Sequence, residues 1–242
     1  MKKQWENQKI EKIVSKNRIS LLADYTLVKS QRSREMKNLS LSQQYLLFTM
    51  NRQGKISSVN YYVGMCLVMA GLLDLQAAGV IELEQKEIIV LTDELPAELE
   101  YLDCLLNKIM QLKKKRIEKI ANAYGATFFE KDLKQLVAQI RGSLIQLREI
   151  RVEGTTSYLA KENTIAKLVA RLENLNALDN DGLTLAILLK KSSYLKKYID
   201  KEDRKELEAK IKAAKNDPVS KQTQLMISQL DWLVGALVVV TA

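Results

Sequence analysis

Residues 59–78 read VNYYVGMCLVMAGLLDLQAA, twenty residues that place apolar side chains on nearly every face of a helix. Such a segment has two stable environments, the hydrocarbon of a bilayer or the centre of a protein core. Asn60, Asp74 and Gln76, together with Gly64 and Gly71, make it a poor membrane span, because polar groups without partners are costly in lipid. The expectation is a central helix of a folded core, with the two glycines allowing neighbouring helices to come close. The rest of the chain then has to supply the shell around it.

Upstream, NLSLSQQYLLFTMNRQG offers Ser40 as a helix cap and Gln43 three residues later. This capping-box spacing predicts a helix from about Leu41 to Met50, ended by a turn at Gly54. Downstream, Gly79 stops the central helix and VIELEQKEIIVL alternates, with Ile81 and Leu83 on one face and Glu82 and Glu84 on the other. Two strands joined by about three residues, Gln85 to Glu87, are expected. Pro96 opens another helical stretch whose packing side holds Leu99, Leu102, Leu105, Leu106 and Ile109. Further helices are expected up to Gly125, over about Glu130 to Leu147, and from residue 161 to 175. A second short hairpin turns at Gly154. The segment 183–199 has an apolar front half and a basic back half. A highly charged helix at an exposed edge follows from Asp200. The chain ends in a largely apolar stretch whose uninterrupted run, Trp232 to Val240, has nine residues. That is too short to cross about 30 Å of hydrocarbon as a helix, so a docked terminal helix is expected. No Pro-, Gly- or Ser-rich linker divides the chain. The fold class is therefore mainly α, a single helical domain over 38–242 with two small β-hairpins, preceded by an extension over 1–37.

Charge narrows the function classes. The 242 residues are 47% hydrophobic and 28% charged, with a formal net charge of +9 and no histidine. A polyanionic partner is favoured, and the side chain most used for proton transfer near neutral pH is missing. Residues 1–37 hold ten basic side chains, Lys2, Lys3, Lys9, Lys12, Lys16 and Arg18 among them, against four acids. This leader suits a phosphate-rich surface as well as it suits a solvated extension. The start of the chain lacks an apolar core of signal-peptide length, so a cytoplasmic protein, peripheral at the membrane, is expected. Cys66 and Cys104 fall in apolar stretches and read as small buried hydrophobes.

No cluster of Cys and His offers a transition-metal site, and no Gly-rich turn ends in Lys-Ser or Lys-Thr to cradle a phosphate. No cofactor, metal or catalytic residue is nominated. Lys113, Lys114, Lys115 and Arg116, with Lys119, form the densest basic cluster. Read as consecutive helical positions, they fan around more than half the circumference, so that two or three could face an anion. A solvated helix end accounts for them equally well. Lys190, Lys191, Lys196 and Lys197 are a second cluster with the same two readings.

LSLSQQYLLFTMNRQGKI followed by LVMAGLLDLQAAGVIELEQKEIIVLTD resembles the opening of the Golgi phosphoprotein 3 family, which binds phosphatidylinositol 4-phosphate. The outline continues to the C-terminus, in the form of a divergent bacterial-type member. The resemblance implies a helical domain that acts without catalysis at a membrane surface. It also implies a headgroup clamp of one tryptophan and several arginines. The tryptophan falls at Val59, the first arginine at Val68, and an arginine pair at Ala177 and Asn180, so none of the four is preserved. Losing those charge-assisted bonds puts specific headgroup binding in doubt. Anionic membrane and protein partners remain the expectation. The competing reading, a nucleic-acid regulator with a winged-helix-like segment, is disfavoured because Leu67 to Ala78 offers no basic residue to a groove.

Overall fold

The computed structural model describes residues 39–84, 87–125, 130–154, 157–216 and 228. The basic leader lies outside the described residues, and so does the expected terminal helix except for Ser228. Backbone contacts group residues 1–39 and 40–242 into two units, and the elements below belong to the second.

Helix α1 spans Leu41–Thr49 and begins with both halves of the expected capping box. The backbone N–H of Gln43 donates to the Ser40 hydroxyl, and Ser40 N–H donates to Gln43 Oε1 at 3.0 Å. The helix is buried from Ser42 to Thr49, so its polar side chains need internal partners. Gln43 finds one in Ser143, 2.9 Å away.

Helix α2, Tyr61–Ala77, is the central helix. It is buried without interruption from Val63 to Leu72, as its all-round apolar sequence demands. Its glycines mark close approaches. A Cβ on Gly64 would stand 2.7 Å from Leu133, and one on Gly71 would stand 2.8 Å from Leu105. The helix ends where the sequence places its stop. Gly79 takes φ +70, Gly79 N–H donates to Gln76, and Val80 N–H reaches back to Leu75 at 2.9 Å. This pair of bonds around a left-handed residue is a Schellman closure.

Strands β1 (Ile81–Glu84) and β2 (Glu87–Val90) pair antiparallel, Ile81 opposite Val90 and Glu84 opposite Glu87. The connection is therefore two residues, 85 and 86, shorter than the expected three because Glu87 already belongs to the ladder. Ile81, Leu83 and Ile88 are buried while Glu82, Glu84 and Glu87 are exposed. The stretch after Pro96 starts as a 3-10 turn, Ala97–Leu102, before α3 continues over Asp103–Gln111. All five leucine and isoleucine positions expected to pack are buried.

The basic run from Lys113 to Arg116 is not helical. Helix α3 has ended at Gln111 and α4 begins only at Ile117 (Ile117–Gly125). The carbonyl of Lys115 instead accepts the Ile88 N–H at 2.7 Å, and Arg116 forms an antiparallel bridge with Glu87. Pairing with the open edge of β2 satisfies backbone groups that a continued helix would have left to the strand.

Helix α5 covers Glu130–Gln146, and β3 (Ile150–Glu153) and β4 (Ser157–Ala160) form the second hairpin, with Gly154 at φ +62. Then follow α6 (Glu162–Glu173), a 3-10 turn at Leu175–Ala177, α7 (Asn180–Lys191), a 3-10 turn at Leu195–Lys197, and α8 (Lys201–Asn216). The domain is mainly helical with two separate two-stranded antiparallel hairpins.

One buried charge ties α1 to α2. Asp74 accepts the N–H of Leu41 at 2.8 Å and that of Ser42 at 2.9 Å, which are otherwise orphan donors at the start of α1. Tyr101 donates to the Ser40 hydroxyl at 2.6 Å and closes the same corner. Burial raises the Asp74 carboxyl above its ordinary 3.8, against the hydrogen bonds from Ser42, Ser40 and Leu41 that lower it. Replacing Asp74 with Ala strands two donors and should cost about 2–4 kcal/mol in urea denaturation. The raised pKa means the folded state holds the proton more tightly than the unfolded chain does. This contribution to stability is complete below pH 3.8 and is lost as pH rises through the folded value. The expected outcome is that Asp74→Asn removes this segment of the stability-versus-pH curve.

Candidate functional site

The loop between α1 and α2 is pinned at both ends. At its near end Gly54 takes φ +69, and its carbonyl accepts from Arg141 Nη1 at 2.7 Å. A Cβ at Gly54 would lie 2.5 Å from that nitrogen and 2.7 Å from the Tyr158 ring. The Arg141 guanidinium lies over the same ring, 4.3 Å from its centroid, and Tyr158 N–H donates to Arg52 at 2.8 Å. Cation–π contact and hydrogen bond thus use the charge of Arg141 to hold the loop.

At its far end Asn60 does two jobs. Its Oδ1 accepts from Tyr62 N–H and caps α2, while its Nδ2 donates to the Ser192 carbonyl at 2.9 Å. Between these anchors the chain presents Val59, 90% exposed, and Tyr61, 45% exposed. A valine held that far into solvent on a fixed loop gains nothing from the fold.

The Ser192 bond joins this apolar tip to the second basic cluster. Helix α7 ends with Lys190 and Lys191, Ser193 takes φ +64, and the chain turns into Tyr194–Lys197. Lys190, Lys196 and Lys197 are exposed and Lys191 is half-buried. The Lys197 ammonium lies 3.7 Å from the Tyr194 ring centroid. Tyr198 fastens the segment to the end of α1, donating to the Phe48 carbonyl at 2.8 Å and packing edge-on against its ring.

The positions that the resemblance assigned to a headgroup clamp do not share one exposed surface. Val68 is 1% exposed, inside α2, whereas Val59, Ala177 and Asn180 are exposed. A guanidinium does stand close to the Ala177–Asn180 turn, but it comes from α6 and is already engaged. Arg171 donates to both Asp179 oxygens, at 2.5 and 2.7 Å, and to Gln44 at 3.2 Å. Asp179 in turn caps α7 through Gly182 N–H. Partial burial opposes ionisation of Asp179, but the Gly182 and Arg171 bonds outweigh it and hold the carboxyl below its ordinary 3.8. Sequence reasoning marked Ala177 and Asn180 and missed Arg171, because a lone arginine on an amphipathic helix gives no sign of its partner.

In the first basic cluster Lys113, Lys114, Arg116 and Lys119 are exposed and Lys115 is half-buried. The connector holds four of them and α4 the fifth, so they do not form one helix face. Arg116 Nε lies 3.9 Å from Glu87. The thiols are poor nucleophiles. Burial pushes Cys66 up to about 12, against the lowering contributions of Tyr45 and Lys191, and burial followed by Asp103 pushes Cys104 up to about 11. Among the described residues, no three or more His, Cys, Asp or Glu are grouped to hold a metal ion, and no helix is long and apolar enough to cross a membrane.

A helical domain built on a buried apolar helix, two hairpins and a basic-and-apolar surface is what the geometry defines. The sequence model of the Golgi phosphoprotein 3 (GPP34) family matches residues 41–230, and the chain belongs to that family. None of the curated proteins compared with it matches.

Asp179→Ala removes a helix cap and the partner of Arg171 together. A loss of about 1 kcal/mol is expected from the cap in thermal or urea unfolding. The depressed pKa makes the Asp179 contribution present above pH 3.8 and lost as pH falls through the folded value, so wild type and variant should converge in acid.

Proposed function

We propose that this chain is a divergent, bacterial-type member of the family that works as a non-catalytic module, peripheral to an anionic membrane surface on the cytoplasmic side. The observation that carries the reading is the Asn60–Ser192 hydrogen bond. It couples the exposed Val59–Tyr61 tip to the lysine-rich segment from Lys190 to Lys197. An apolar wedge beside several amines matches the two components of a charged bilayer interface, acyl chains and phosphates. The loop is fixed in advance by Arg141 and Tyr158, so little ordering entropy opposes docking. Phosphatidylinositol 4-phosphate is not the favoured ligand, since Val68 is buried and Arg171 is occupied by Asp179. A DNA-reading role is disfavoured by the burial of α2 from Val63 to Leu72, which leaves that stretch no face for a groove. The leader over 1–37 adds non-specific attraction in this reading, and protein partners use the same membrane-bound state.

Cosedimentation with phosphatidylglycerol-containing vesicles tests it. Binding should be strong at low salt and fall steeply as salt rises. Lys196→Ala with Lys197→Ala should weaken it about thirtyfold, at about 1 kcal/mol for each lysine. Val59→Asp should weaken it about tenfold through lost apolar insertion and added repulsion. Full-length protein that ignores such vesicles at low salt would sink the reading.

A further inference from the structure

Residues 88–91, the greater part of β2 and the position after it, read IIVL without a polar break. A strand with one wet face alternates, and an unbroken apolar run belongs to a strand covered on both faces. In this hairpin the fold covers one. Ile88 is buried with Ile81 and Leu83, whereas Ile89 is 38% and Leu91 56% exposed. By the two-residue period, Glu87, Ile89 and Leu91 share the outward face. The ladder fixes what flanks them. On one side Glu82 stands opposite Ile89 and Glu84 opposite Glu87, both β1 glutamates exposed. On the other side Arg116 is bridged to Glu87 and exposed, and Lys114 shortly before it is exposed as well. Among the described residues the outward face is therefore striped, acidic along β1, apolar along the outer half of β2 and basic along the connector. Arg116 and Glu87, both exposed, are 3.9 Å apart. An ion pair of that kind is weak and can be shared with a further partner at little cost.

We propose that this face is a self-association surface whose occupant is a second copy of the chain. A stripe order of acid, apolar and base is complementary to itself under one two-fold operation. An axis running along β2 lays Ile89 and Leu91 over the same residues of the other copy and sets Glu82 and Glu84 across from Lys114 and Arg116, twice over. An axis across the strands sets acid on acid and base on base, which charge forbids. A basic peptide would leave Lys114 and Arg116 unmatched, and an anionic bilayer would meet Glu82 and Glu84 with like charge. The copies stack face to face, so the edge of β2 stays with the connector. So few side chains fall short of the roughly 20–30 residues a side of a stable interface, and a dissociation constant on the order of 100 µM is expected. The proposal does not rest on membrane docking.

Sedimentation equilibrium of the full-length protein, followed up to about 1 mM, tests the assignment. Wild type should pass from monomer to dimer over that range and be driven back by salt. Glu82→Lys with Glu84→Lys sets base against base, and Lys114→Glu with Arg116→Glu sets acid against acid. Each double variant alone should associate at least about tenfold more weakly. Mixed in equal amounts, the two should recover wild-type association as a heterodimer, because each reversed row then meets its complement. Misfolding cannot imitate that recovery. Ile89→Ser with Leu91→Ser should weaken the dimer about tenfold through lost apolar burial. Lys196→Ala with Lys197→Ala should leave self-association unchanged, which separates this reading from vesicle docking. The proposal is overturned if the protein stays monomeric throughout, if either charge-reversed variant associates like wild type, or if the mixture does not recover. A monomer whose vesicle binding falls on Ile89→Ser with Leu91→Ser would assign the face to the membrane instead.

Discussion

The carboxylate of Asp74 sets the relation between the two innermost helices. A charge in so apolar a helix would be destabilising by itself. Here it faces the N-terminus of α1, where the N–H groups of Leu41 and Ser42 need acceptors and the helix dipole favours negative charge. Each side offsets part of the other's desolvation, burial still leaving the Asp74 carboxyl raised, and α1 is held so deep that eight consecutive residues are buried. Gln43 reaching Ser143, Gln44 reaching Arg171, and Phe48 meeting Tyr198 all depend on that depth. These contacts join α1 to α5, α6 and the segment after α7, so the remaining helices are arranged around a corner fixed by one residue.

Most of the architecture was legible in the sequence where local chemistry decides it. The Ser40–Gln43 capping box, the left-handed stop at Gly79, the alternation through Ile81 and Leu83, and the turn at Gly154 each follow from short-range rules, and each is found where expected. What was not legible depends on tertiary competition. Lys113 to Arg116 have good helix propensity, yet the backbone of Lys115 is drawn to Ile88, a partner whose location no local pattern reveals. The same limit applies to the 3-10 opening of the stretch after Pro96, where the packing leucines were correct and the winding was not.

The candidate site was legible in its charges and illegible in its geometry. Lys190, Lys191, Lys196 and Lys197 stand out in the sequence, but their connection to Val59 runs through Asn60 and Ser192, which are 132 positions apart. Arg141 and Arg171 show why counting basic residues misleads. One stacks on Tyr158 and the other is held by Asp179, so neither is as available as its formal charge suggests.

The pairing of Lys115 and Arg116 with β2 has a consequence for how the protein behaves at high concentration. An unpaired strand edge is a template for a strand from another molecule. In this chain the N–H of Ile88 is already taken, and the segment that takes it carries four cations in a row. A second copy approaching this edge would meet both a filled hydrogen-bond position and its own like charge. The densest basic run in the molecule therefore protects the first hairpin from strand-to-strand aggregation, whatever else its lysines attract.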